Sequence, residues 1–170
     1  MHIYDLTVPQ LSKTLRNLDG WIKRAGEHAK NAQVPVDSLL QARLAPDQYM
    51  FVRQVQVATD NAKFIPGRLS GKQWPSHPDT ETTFEQLHAR IASVDEYVNS
   101  FKREDFDDID KRKIRLPWMK EDQWLAPYDY LVQFGMPNFY FHVVTAYAIL
   151  RHKGVQLGKN DFIGGLPIVD

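Results

Sequence analysis

The sequence predicts an all-α fold, a bundle of four long helices. Three observations carry that expectation. Three apolar stripes repeat at steps of three and four residues, capping and breaking residues stand at their ends, and a late aromatic-rich segment is closed by a glycine.

The first stripe is Leu11, Leu15, Leu18, Ile22, Ala25 and Ala29, one face of a helix from about Val8 to Lys30. Thr7 suits its N-cap and Pro9 its first turn, where a missing N–H goes unused. Pro35 interrupts, and Asp37 can cap a short turn through Leu40. Pro46 then opens a second long helix with the stripe Phe51, Val55, Ala58, Ala62, Ile65 and Leu69. Pro66 implies a kink there, and Gly71 ends the helix. Thr82, followed three residues later by Glu85, reads as a capping box. Behind it Phe84, Leu87, Ile91, Val94, Val98 and Phe101 form the third stripe.

Lys102 to Lys113 is almost wholly charged, with both signs balanced, and reads as a solvated connector. Its aspartates do not make a calcium loop, because the required glycine and terminal glutamate are missing. The connector continues through Pro117, Trp118, Trp124 and Pro127 to Gly135, roughly 35 residues without helical period and long for a bundle loop. Its two tryptophans predict that it packs over the bundle. Pro137 starts the fourth helix, which runs to Lys153 and stops at Gly154. The tail to Asp170 reads as extended, and neither an internal repeat nor a low-complexity segment is visible.

The 170 residues predict one domain with a single core. Lys+Arg equals Asp+Glu at 21 each, so no bulk basic field exists to hold a polyphosphate, and nucleic acid is not an expected partner. The absence of cysteine removes disulfides, thiolate nucleophiles and cysteine-ligated metals together. The first residues lack a basic stretch followed by an apolar run, and Phe139 to Leu150 is too short to span a bilayer. A cytoplasmic protein with no membrane partner is the expectation.

The fourth helix is the informative one. Phe139, Phe141, Val143, Val144, Ala146, Tyr147, Ala148, Ile149 and Leu150 surround it, which predicts burial on nearly every side. Asn138, His142 and Thr145, spaced four and three apart, share one face inside that sleeve. Buried polar groups need partners, so this face should meet polar side chains, water, a ligand or a metal. Gln54, on the otherwise apolar second helix, stands at matching depth if both helices start at the same end of the bundle. His28, near the end of the first helix, could reach the same region. His88 and His152 read as surface residues. Gly158-Lys159-Asn160 lacks the glycine spacing and the hydroxyl of a phosphate loop. No serine or threonine pairs with a recognisable base, so nucleophilic catalysis has no candidate.

The segments Arg43-Leu-Ala-Pro-Asp-Gln-Tyr-Met, Gln54 to Lys63, Pro137-Asn-Phe-Tyr-Phe-His142 and Ala146 to Gly154 resemble a domain-of-unknown-function family of the DinB/YfiT-like superfamily. The resemblance covers nearly the whole chain, and the Pro-Asn-Phe-Tyr-Phe-His block is its specific part. It implies a four-helix bundle with a long connector between the third and fourth helices, frequent dimers, and often a divalent metal held by three histidines. Some members of the superfamily are metal-dependent transferases or isomerases using a low-molecular-weight thiol. On the resemblance, the metal positions fall at Gln54, Asn138 and His142, and only His142 keeps the residue type. Amide oxygens are poor ligands for zinc or nickel, and none of the six histidines is followed by another four residues on. The expectation is therefore a polar, metal-free small-molecule site lined by Gln54, Asn138 and His142 and closed by Trp118 and Trp124, with the cofactor unassigned. A homodimer is the expected assembly; a metal-dependent low-molecular-weight thiol transferase or isomerase and a structural dimeric bundle without catalytic activity remain alternatives, as does a His142 that only satisfies a buried hydrogen bond.

Overall fold

The computed structural model describes residues 2–168. Helices α1 (Ile3–Ala32), α3 (Phe51–Ser70) and α4 (Phe84–Asn99) carry the three stripes, each with its stripe residues buried. The fourth bundle helix is composite. A helical turn α5 (Pro127–Asp129) leads through a π-helical turn (Tyr130–Gly135) into α6 (Met136–His152). Short helices α2 (Val36–Leu40) and α7 (Lys159–Ile163) complete the set. No helix among the described residues is long and apolar enough to cross a membrane.

Side-chain pairs fix the helix directions. Ser12 meets Asp95 and Asp19 meets His88, so α1 and α4 are antiparallel. Gln54 meets His142, Asn61 meets Asn138 and Arg68 meets Tyr130, so α3 and the fourth helix are antiparallel too. Thr59 meets Arg90, and Tyr97 lies against Gly67, so α3 and α4 run parallel. The order is up, down, down, up. Two parallel helices adjacent in sequence require a connection that returns the full length of α3, about 30 Å. Residues 71–83 make that return along its outer face. Trp74 packs on Phe64 with ring centroids 5.1 Å apart, Lys63 Nζ lies 2.9 Å from His77 Nδ1, and Gln56 donates to Glu81 at 2.9 Å. The crossover leaves α3 at Gly71, whose φ of 79° is a left-handed conformation that favours glycine.

Residues 100–126 stay at one end of the bundle, where α4 finishes and the fourth helix starts. Phe106 and Ile109 anchor the otherwise exposed charged stretch, and the backbone pair Ile114–Leu125 pinches the connector. Trp118 packs on Phe134, and Trp124 lies under Lys113.

Several boundaries differ from expectation. α1 starts at Ile3 with His2 as its cap, because the His2 ring accepts the Tyr4 N–H; Thr7 instead donates to the Ile3 carbonyl within the helix. Pro46 does not open α3. It sits in a turn closed by Gln48 N–H to Ala45 O, and Phe51 N–H to Ala42 O folds the segment back before the helix begins. The capping box is Thr83 with Gln86, not Thr82 with Glu85, since Thr83 Oγ1 accepts the Gln86 N–H. Thr83→Ala is therefore expected to cost about 1 kcal/mol in urea unfolding, and Thr82→Ala clearly less.

The fourth helix begins at Pro127, ten residues before Pro137, and Gly135 lies inside it rather than ending a loop. It is not sheathed all round either. Phe141 and Val144 are 55% and 47% exposed on a face that no other described element covers. The tail is not simply extended. α7 docks on α1 through Trp21, which stacks on Phe162 at 5.6 Å and donates to Asp161 O; Val169 and Asp170 lie outside the described residues.

Candidate functional site

The polar face of α6 meets α3 in two steps. His142 Nδ1 lies 2.7 Å from Gln54 Oε1, and one turn down Asn138 donates to Asn61 Oδ1 at 2.8 Å. Gln54 is fully buried and His142 nearly so. The two helices start at opposite ends, not the same end. Gln54 and His142 meet because the fourth helix starts early and reaches His142 two-thirds of the way along. Thr145, expected on the same face, donates back to Phe141 O and stays within its own helix.

The network assigns the histidine tautomer. Gln54 Nε2 donates to Tyr49 O at 3.1 Å, so its Oε1 is the acceptor and His142 Nδ1 carries the hydrogen. The lone pair then sits on Nε2, for which no protein hydrogen bond exists among the described residues. Burial, with the nearby Arg53 charge adding to it, pushes the imidazole down to about 4. The ring is neutral near pH 7. The Tyr49 ring lies over it, near-parallel at 6.4 Å, and Arg53 lies over Tyr49 at 5.8 Å. His142→Ala is expected to cost about 1–3 kcal/mol in urea unfolding, because it strands the buried Gln54 oxygen.

These residues do not fit the three-imidazole metal site that the resemblance implies. Gln54 Oε1 is taken by His142, the Asn138 amide is turned to Asn61, and one imidazole remains. Among the described residues no cluster of three or more His, Cys, Asp or Glu side chains could hold an ion. His28 is no substitute, since it lies against Gly154 and lines a separate cleft with Arg24, Glu27 and Gln156.

A cleft of about 740 Å³ opens at the start of α3. Its walls come from α2, from the folded segment before α3 (Arg43, Asp47, Gln48, Tyr49), and from the end of the crossover (Asp79, Glu81, Thr82). Tyr49 and Arg53 line it and stand between it and His142. Trp118 and Trp124 do not close it. They sit in the connector at the far end of the bundle, 65% and 50% exposed.

Behind the crossover wall lies a buried charge network that was not read from the sequence. Arg90 donates to Thr59 Oγ1, Gln56 O, Asp60 and Glu81, and its Nη1 is 2.7 Å from Asp79. Buried Lys63 pairs with Asp60, and Arg53 pairs with Asp79. Burial pushes the Asp79 and Glu81 carboxyls up, but their hydrogen bonds and the arginine charges outweigh it and leave both below the usual range. Asp79 itself holds a left-handed φ of 57°. A sequence signal did exist, since Arg90 sits beside Ile91 on the Leu87–Val94 stripe and Lys63 sits between Ala62 and Ile65.

One pair resembles a nucleophile and its base. Ser93 Oγ lies 3.3 Å from His77 Nε2. Lys63, as a donor, faces His77 Nδ1, so Nε2 carries the hydrogen and points it at the serine. That polarity is opposite to the one that would deprotonate a hydroxyl.

Residues 3–163 match the family described as Domain of unknown function (DUF1993). The chain belongs to that family. A solved structure, the crystal structure of a DinB family member protein from Shewanella denitrificans, is 43% identical, covers 99% of this chain and 95% of its own, and superposes with a TM-score of 0.94. No curated protein matches the chain. This DUF1993 member is thus a DinB-like helical bundle in which the α3–α6 contact is made by amides and one imidazole.

Proposed function

We propose that this DUF1993 chain binds a small organic molecule without a metal, in the cleft at the start of α3. One observation carries the reading. A cleft of about 740 Å³ is walled by Tyr49 and Arg53, which stand against the α3–α6 polar contact, while the amides of that contact are engaged and leave no donor set for an ion. Its size suits a small ligand, and Tyr49 and Arg53 offer an aromatic face and a charge at its wall. The buried Gln54–His142 pair acts as a rigid backing, because Gln54 also holds the Tyr49 carbonyl. The test has two arms on untagged protein. Elemental analysis should find no stoichiometric metal, and a fragment library should shift the amide resonances of Tyr49 and Arg53. An ion on His142, or fragments that bind only elsewhere, would overturn the proposal and favour the metal-dependent thiol-transferase alternative or a scaffold.

A homodimer is a second reading, supported by the uncovered apolar flank of α6 at Phe141 and Val144. Light scattering should then give a dimer that Phe141→Glu converts to monomer.

A further inference from the structure

We infer that the bundle carries a second site, at the end of α3, for the phosphoryl group of a small molecule. It is separate from the cleft at the start of that helix and does not depend on it. A cleft of about 220 Å³ opens where residues 67–74 meet residues 113–115. Four of its lining side chains are the cations Arg68, Lys72, Lys113 and Arg115, and among the described residues no carboxylate lines it. The Arg112 guanidinium lies against Gly71 in its wall and makes a fifth. Acids and bases are equal in number over the whole chain. The concentration is therefore local, made by the fold from two segments distant in sequence.

These cations are largely without counter-charges. Of the five, only Lys72 has an ion-pair partner among the described residues, Asp105 at 2.7 Å. Arg68 is held by rings, lying over Phe64, Trp74 and Tyr130 and donating to the Tyr130 hydroxyl at 3.3 Å. Lys113 lies over Trp124. No hydrogen bond from these side chains reaches an α3 carbonyl, so they are not spent on capping its C-terminus. Like charges held together repel, and an anion among them relieves that repulsion while the cleft walls focus the field on it. Guanidinium groups match the paired oxygens of a phosphoryl group. The space suits such a head group rather than a whole cofactor. Trp74, 38% exposed, offers an aromatic surface beside it for whatever the group is attached to. Against Gly67 lies the Tyr97 hydroxyl, buried without a hydrogen-bond partner and pushed up to about 12 by that burial, so the wall is backed by a neutral donor and by no negative charge.

Phosphate, phenyl phosphate and sodium chloride, matched in ionic strength, are the probes for the full-length isotope-labelled protein. Phosphate and phenyl phosphate should shift the Gly71, Lys72 and Gln73 amides saturably, and chloride should not. Phenyl phosphate should also move the Trp74 indole resonance. Its tighter binding would mark a phosphorylated organic molecule as the occupant, and equal binding of the two would mark the free oxyanion. Arg115→Gln should weaken both about fivefold, the upper range for a partly exposed ion pair, and leave Tm unchanged because its guanidinium has no ion pair in the fold. Lys113→Gln serves in its place if Arg115→Gln lowers Tm. Lys23→Gln, which removes an exposed cation on α1, is the control and should change neither affinity nor Tm. Chloride shifts equal to those of phosphate, or equal losses in Lys23→Gln and Arg115→Gln, would reduce the cleft to a screened basic patch and overturn the inference. Absence of saturable shifts, or affinity unchanged in both Arg115→Gln and Lys113→Gln, would overturn it as well.

Discussion

Arg90→Met should lower the unfolding free energy by about 3–5 kcal/mol, the cost of removing one partner from a buried ionic network. The guanidinium is 1% exposed and serves three carboxylates, the Thr59 hydroxyl and the Gln56 carbonyl. Asp60 would keep Lys63 and Asp79 would keep Arg53, but of its side-chain partners Glu81 would retain only the Gln56 amide. The loss should therefore show locally as well as globally, as faster proteolysis within 71–83. Arg90→Lys should recover little, because an ammonium cannot reproduce the planar fork. Urea titrations compared at equal m-value give the global term. A loss below about 1 kcal/mol would mean that the crossover is held by something other than this network.

Acid should weaken the fold well before the carboxylates titrate. The His142 pKa is depressed to about 4 in the folded protein, whereas an unfolded histidine titrates near 6.5. Between those values the unfolded chain binds a proton that the folded chain refuses, so stability is complete above about pH 6.5 and falls as pH drops through the window. The loss from His142 reaches about 2 kcal/mol by pH 5 and about 3 kcal/mol near pH 4. His77, lowered by burial and by Lys63 and Arg90, acts in the same direction. Asp79 and Glu81 add their own loss only at lower pH, below the unfolded carboxylate range. Stability measured at pH 7.5 and pH 5 in wild type and His142→Asn separates the contributions. The variant should show the shallower pH dependence, and equal slopes would remove His142 as the cause.

The helices were legible because burial leaves a periodic trace. Leu11 through Ala29, Phe51 through Leu69 and Phe84 through Val98 are buried as their spacing requires. The start of the fourth helix was not, because the π turn at Tyr130–Gly135 breaks the 3.6-residue period and Pro137 imitates a first-turn proline. Its aromatic content also misled, since Phe141 lies on the exposed flank while its neighbour His142 is buried. The Gln54–His142 contact was readable from two polar residues on apolar faces. The cleft was not, because Asp79 and Glu81 reach it only through the course of the crossover, and no local pattern encodes that course. The tryptophans misled for a related reason. Aromatic residues in a connector announce packing but do not say at which end of the bundle it occurs.

The up-down-down-up order bears on how the chain assembles. Its closely packed pairs are the first helix with the third and the second with the fourth, joined by contacts such as Ser12–Asp95 and Gln54–His142, 83 and 88 residues apart. A bundle of successive hairpins closes short loops and collects packing energy early. Here the entropy of long loops comes first, which predicts slower folding than for hairpin-ordered bundles of equal length. On the ribosome, α3 must wait for nearly the last of the chain before its main packing partner exists. Until then its apolar side is a surface for chaperones.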